Sequence, residues 1–134
     1  MTLMTWTADK FGTSITSSDN EHKKLFDLTN ELHSSIGGDR AKIDQNLDAL
    51  IDYVVVHFQN EEGLMKANGY PDYEAHKEVH DDLVNTCIDL QKKFKAGEAE
   101  VTEETTSFVK DWLYNHIPVI DTKYGPFLNE KGIN

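Results

Sequence analysis

The sequence predicts an all-α protein: an antiparallel up-down-up-down four-helix bundle led in by an irregular N-terminal arm. Three observations carry this expectation. Four segments place their apolar residues at alternating steps of three and four, the spacing of one helix face. The breaks between them are short (Gly37-Gly38, Gly69-Tyr70-Pro71, and Ala96 to Glu100), which suits antiparallel neighbours. A length of 134 residues suits one domain, 1–134, and is enough to bury a core.

Taken in order, residues 1–18 read as the arm, with Trp6 and Phe11 available to dock it. The first helix, about 19–37, follows Ser18-Asp19-Asn20-Glu21, a capping-box pattern, and its stripe is His22, Leu25, Phe26, Thr29, Leu32 and Ile36. Gly37-Gly38 ends it. The second helix, about 40–66, turns Ile43, Leu47, Leu50, Val54, His57, Glu61 and Leu64 inward. Gly63 lies within it, facing away from that stripe, where glycine costs about 1 kcal/mol relative to alanine. Pro71 is suited to the first turn of the third helix, about 71–95, whose stripe is Tyr73, His76, His80, Leu83, Cys87, Leu90 and Phe94. The fourth, about 102–117, has Thr102 as its cap and Glu103 and Glu104 in the first turn, where the helix dipole favours them. Its buried side reads Phe108, Val109, Trp112, Leu113 and His116, and a short tail is expected beyond it.

Composition narrows the function. Asp and Glu number 24 against 13 Lys and Arg, a formal charge of −11. That argues against nucleic acid and against anionic membrane surfaces, both of which need a basic face. A single cysteine excludes an internal disulfide framework and any zinc site built on paired cysteines. No apolar run approaches the ~20 residues needed to cross a bilayer, and residues 1–6 do not read as a targeting signal. A cytoplasmic protein with Cys87 as a reduced thiol is the expectation.

The six histidines carry the chemistry. His57 and Glu61 are four residues apart, within about 40° on one helix face, and His76 and His80 repeat the relation. His22 opens the first helix, and His116 sits on the inner stripe of the fourth. In an up-down bundle the start of helices one and three and the end of helices two and four share one end of the molecule. Five histidines and a carboxylate therefore converge at one level, where burial is costly unless something pairs with them. A metal would supply that pairing. His33 falls about 16 Å further along the axis and is read as a bystander. Glu62 turns off the ligand face, and Cys87, about 10 Å from His80, reads as packing.

Five imidazoles and a carboxylate exceed what one tetrahedral zinc takes, and mixed imidazole and carboxylate ligation suits a pair of irons bridged by carboxylates. A second bridge is needed near His116. Ile120 holds the i+4 position, and Asp121 at i+5 would point about 140° away on a regular helix. Pro118 cannot bond back to Tyr114, so a distorted turn there is expected to swing Asp121 inward.

The set His22, His57-x3-Glu61, His76-x3-His80 and His116-x4-Asp121 resembles the ligand pattern of the hemerythrin family in its single-domain bacterial form. The flanking residues agree: His22-Lys23-Lys24-Leu25-Phe26, His57-Phe58-Gln59-Asn60-Glu61-Glu62, Gly69-Tyr70-Pro71, and Trp112 through Ile117. The likeness extends over nearly the whole chain. It implies a hemerythrin-like bundle holding two iron ions, with His76, His80 and His116 on one and His22 and His57 on the other. Glu61 and Asp121 would bridge them together with an oxo or hydroxo group. The iron with two histidines is left a vacancy at which O2 binds reversibly, and Trp112, Leu113 and Ile117 match the family's apolar pocket around it.

The resemblance thus implies an oxygen carrier or store that is not an enzyme. It would act as a monomer and hand O2 to an oxygen-consuming enzyme. Two other readings use the same scaffold: a module sensing O2, redox state or iron, and a di-iron oxidase or an enzyme handling nitric oxide or peroxide. Oxygen-activating di-iron sites are usually carboxylate-rich with Glu-x-x-His pairs. The histidine-rich set here, without such a pair, favours reversible binding.

Overall fold

The computed structural model describes residues 2–134. Four long helices form the bundle: α2 (Thr16–Ser35), α3 (Arg40–Ala67), α4 (Tyr73–Lys95) and α5 (Glu103–Val119), preceded by a one-turn α1 (Ala8–Phe11) and followed by α6 (Tyr124–Glu130). Consecutive long helices run antiparallel through the connections 36–39, 68–72 and 96–102. Among the described residues no strand occurs.

Local chemistry sets the helix ends. Asp39 caps α3, its side chain accepting from the Ala41 amide at 3.2 Å. Past Ala67 the Tyr70 amide returns to the Met65 carbonyl at 2.9 Å, a turn that requires the positive φ (+71°) of Gly69. The α4 helix closes in the same way, with Glu98 N–H donating to Lys93 O at 2.8 Å around Gly97. Thr102 leads into α5, its amide donating to Thr105 Oγ1 at 3.1 Å.

The arm departs from expectation. It is ordered and contains α1, because it has both a hydrophobic anchor and a polar one. Phe11 is fully buried, edge-on to Phe26 at 5.0 Å. Met4 is buried too, and its backbone exchanges two hydrogen bonds with the Asn30 side chain at 2.8 and 2.9 Å. Lys23 Nζ sits 4.4 Å over the half-buried Trp6 ring. The first long helix also begins at Thr16, ahead of position 19, and the Ser18–Glu21 capping box does not form. Asp19 reaches back instead and accepts from both the amide and hydroxyl of Thr13, at 2.9 and 2.8 Å. Ser18 is then an interior helical residue, buried, and Glu21 is free to face α3.

Two further boundaries move. Pro71 and Asp72 belong to the turn before α4, held by Tyr73 N–H to Tyr70 O at 3.1 Å, so Pro71 is outside the helix. The segment after α5 is structured rather than a tail. A 3-10 turn (Asp121–Lys123) runs into α6, which buries Tyr124 and Leu128, four residues apart. There α6 meets the arm so closely that a Cβ on Gly125 would stand 1.8 Å from the Thr13 carbonyl oxygen, which only glycine permits.

Leu25, Phe26, Leu32, Leu47, Leu50, Val54, Leu83, Phe94 and Leu113 fill the main core. A smaller core of Ile15, Met65, Tyr70, Tyr124 and Leu128 closes the end where α2 begins and α3 finishes. Phe108, expected inside, is 48% exposed, because it lies on the open seam between α4 and α5; Val101 is buried instead. Ile36, Leu64, Tyr73 and Leu90 are half-buried at the margins of their stripes. Cys87 packs half-buried against the core, and burial pushes its thiol up to about 11, so it stays protonated. No helix among the described residues is long and apolar enough to cross a membrane.

Candidate metal centre

Near the end closed by the smaller core, seven titratable side chains meet: His22 from α2, His57 and Glu61 from α3, His76 and His80 from α4, His116 from α5, and Asp121 from the 3-10 turn. None is more than 4% exposed. Each histidine arrives by helical phase. Asp121 arrives because α5 stops. Pro118 has no amide to donate, Ile120 N–H closes the last turn on His116 O at 2.8 Å, and the chain tightens into the 3-10 turn. Thr122 Oγ1 donates to Pro118 O at 2.7 Å and pins that turn.

The donor atoms fall into two groups. Glu61, His76, His80, His116 and Asp121 offer one atom each within 4.8 Å of one another, and His22, His57 and Glu61 form a second such set. Both carboxylates are split between them. Glu61 Oε1 lies 3.0 Å from His76 Nε2 and 3.2 Å from His80 Nε2, while its Oε2 lies 3.5 Å from His22 Nε2 and 3.3 Å from His57 Nε2. Asp121 Oδ1 is 2.8 Å from His116 Nε2 and 3.0 Å from His76 Nε2, and its Oδ2 is 3.2 Å from His22 Nε2.

These contacts are suited to cations. His80 and His116 bring their Nε2 atoms to 3.3 Å, and His116 and His76 theirs to 3.2 Å. Glu61 Oε1, Asp121 Oδ1 and His22 Nε2 are buried and crowd their neighbours with no aligned hydrogen bond. Lone pairs pressed together in this way lower their energy around a positive ion. Imidazole and carboxylate donors, three nitrogens on one side and two on the other, suit iron, and five donors on one side exceed a tetrahedral zinc.

Without metal, protons do part of that work. Burial alone would lower the histidine values, but the Asp121 and Glu61 carboxylates outweigh it, raising His22 to about 10 and His76 to about 9. His57 is raised as well: burial opposes it, and Glu21 and Glu61 prevail. Burial works to raise the two carboxylates, yet the surrounding imidazoles hold Glu61 and Asp121 well below the usual range.

Sequence reasoning missed several neighbours. Glu21 Oε1 lies 2.6 Å from His57 Nδ1, and Glu62 Oε2 lies 2.8 Å from His80 Nδ1. Glu62 is off the inner face, as expected, but not idle. The Tyr124 hydroxyl, on the unforeseen α6, donates to Glu61 Oε2 at 2.9 Å. Phe58 stacks on His80 (3.7 Å between centroids, 3° between planes) and Trp112 on His116 (4.2 Å, 16°). Leu113 and Ile117 are buried in the main core, whereas Trp112 is half-buried and lines a surface groove of about 450 Å³ with Val79, Phe108 and Val119. His33 is outside the cluster, its Nδ1 2.8 Å from Thr106 Oγ1.

Comparison with known proteins agrees with this geometry. Residues 13–128 match the family model described as the hemerythrin HHE cation binding domain. A bacteriohemerythrin of Methylococcus capsulatus (strain Bath) is 57% identical over 130 residues, 96% of this chain and 99% of that protein. A myohemerythrin of Theromyzon tessulatum is 36% identical over 106 residues, 79% of this chain and 78% of that one. The crystal structure of a wild-type hemerythrin superposes with a TM-score of 0.91 at 58% identity, covering 92% of this chain and 96% of that one. The chain belongs to the hemerythrin family.

Proposed function

We propose that this chain, read as a single domain, binds O2 reversibly at a non-haem di-iron centre and serves as an oxygen carrier or store, not as an enzyme. The ligands in this reading are His76, His80 and His116 on one side and His22 and His57 on the other. Glu61 and Asp121 would hold both ions, and an oxo or hydroxo group would complete the set. The observation that supports it best is the division of both carboxylates, each aiming one oxygen at either histidine group. The bacteriohemerythrin and myohemerythrin names of the relatives point the same way.

When bound, the iron pair supplies two electrons that O2 can take and return. The protein's part is to hold, to leave room, and to keep dry. Three imidazoles and an oxygen from each carboxylate give one side five protein donors; the other side has two imidazoles and the same two carboxylates, one fewer. That inequality leaves the His22 and His57 side open to a small ligand. Leu113, Ile117 and Trp112 form the apolar pocket for O2 in this reading. The hydroxyl of Tyr124 donates to Glu61 Oε2 and steadies that carboxylate, and the Phe58 and Trp112 rings fix the planes of His80 and His116. Dry surroundings slow the entry of water and protons, which reversible binding requires.

The fuller reading is a cytoplasmic monomer that passes O2 to an oxygen-consuming enzyme. Anaerobic titration with ferrous ion tests the site: saturation at two irons per chain is expected, and saturation at one contradicts the assignment of two histidine groups.

A further inference from the structure

Two carboxylates outside the ligand set stand in a repeated relation to it. Glu21 precedes His22 on α2 and reaches across to His57 on α3; Glu62 follows Glu61 on α3 and reaches across to His80 on α4. A step of one residue turns about 100° around a helix, so the neighbour of a residue aimed at the centre is aimed at the adjacent helix. Each of these helices thus contributes a residue facing the centre and, beside it, a carboxylate for the imidazole of the next. Each contact has one further support. Glu21 Oε2 accepts from Asn60 Nδ2 at 3.1 Å, and the His80 ring that Glu62 meets is fixed by the Phe58 stack. The arrangement is selective: Nδ1 of His22 and Nδ1 of His116 are buried with no hydrogen-bond partner.

We infer that Glu21 and Glu62 are positioning residues of the metal centre, one for each histidine group, acting through His57 and His80. The inference rests on the di-iron reading above. An imidazole whose Nδ1–H donates to a carboxylate is locked in the tautomer that presents the Nε2 lone pair, here toward Glu61 and the centre. The negative charge behind the ring makes Nε2 a stronger donor and so favours the ferric state. Glu21 acts on the two-histidine side, where O2 is proposed to bind, and Glu62 on the three-histidine side. The two sides are therefore tuned by separate side chains.

Four variants of the full chain test this: Glu21→Ala, Glu62→Ala, Glu21→Gln and Glu62→Gln, each checked for unchanged thermal melting. Loaded anaerobically with ferrous ion and challenged with a ferrous chelator, each alanine variant should lose one of its two irons about 10- to 100-fold faster than wild type, leaving the other near the wild-type rate. Each glutamine variant keeps an acceptor for Nδ1–H without the charge, so it should retain its iron while the reduction potential rises. A readout independent of metal comes from proton NMR of the metal-free chain. Low-field, solvent-protected Nδ1–H resonances of His57 and His80 should be present in wild type. That of His57 should vanish in Glu21→Ala, and that of His80 in Glu62→Ala. Alanine variants with wild-type iron release and potential, or wild-type protein lacking these resonances, would overturn the inference. A wild type that shows both resonances but takes up no iron would sink the di-iron reading itself, and with it the role of the two carboxylates in metal binding.

Discussion

Loading the metal-free chain with a divalent metal at pH 7 should expel about two protons, and the site's charge balance says which. Glu61 and Asp121 are ionised and buried, a local charge of −2 that the fold does not offset with lysine or arginine. The imidazoles offset it: His22 is raised to about 10 and His76 to about 9. At pH 7 each of these two rings is therefore protonated in about 99% of molecules or more. Their Nε2 atoms face the carboxylates and must give up those protons to bind metal. Each displaced proton contributes a factor of about ten in apparent affinity per pH unit, so two give about 100-fold between pH 7 and 8, roughly 2.7 kcal/mol. The assay is calorimetric titration with Co2+ in two buffers of different ionisation enthalpy, repeated at both pH values. His22→Ala should reduce the count by about one. Release of less than about half a proton per chain, or an affinity flat across this interval, would mean that His22 and His76 do not carry these protons.

The same shifts make the metal-free protein's stability depend on pH at both flanks. His22 and His76 are raised above 6.5, so their contribution is full below about 6.5 and is lost as pH climbs through about 9 and then about 10. Glu61 and Asp121 are depressed, so theirs is full above the ordinary values of 4.5 and 3.8 and is lost as pH falls below them. Thermal melts in the presence of a chelator should therefore peak between about pH 5 and 6.5; a melting temperature rising steadily from pH 6 to 10 contradicts this. Among ligand changes, His116→Ala removes a donor that no neighbour replaces and should lower the iron count below two per chain. His33→Ala should leave both the count and the visible spectrum unchanged, its ring being bonded to Thr106.

What could be seen in the sequence followed from helical phase. Positions four apart share a face whatever the tertiary detail, so His57 with Glu61 and His76 with His80 were legible as pairs, and antiparallel helices brought them to one level with His22 and His116. Asp121 was a different case. On a continued helix it would point away, and only Pro118 signalled that the helix would stop. Features set by contact between elements stayed hidden. Glu21 and Glu62 meet ring nitrogens on adjacent helices, which depends on how those helices pack. The α6 helix is short and carries Gly125 and Pro126; it forms because Tyr124 and Leu128 have a pocket to fill and Gly125 lets the arm approach. Phe108 shows the converse, a residue in phase with a buried stripe left exposed because the α4–α5 seam is open where it lies. The capping box failed because Asp19 found Thr13 first, a contact between a helix and the turn before it.

Reversible oxygen binding is tested by cycling. The chain is loaded with two irons, reduced, exposed to air, then held under vacuum while the visible spectrum is recorded. A charge-transfer band should rise with oxygen, fall on its removal, and return at nearly full amplitude over several cycles. Oxidation in a single exposure with no recovery under vacuum, or release of a reduced oxygen product, would contradict it.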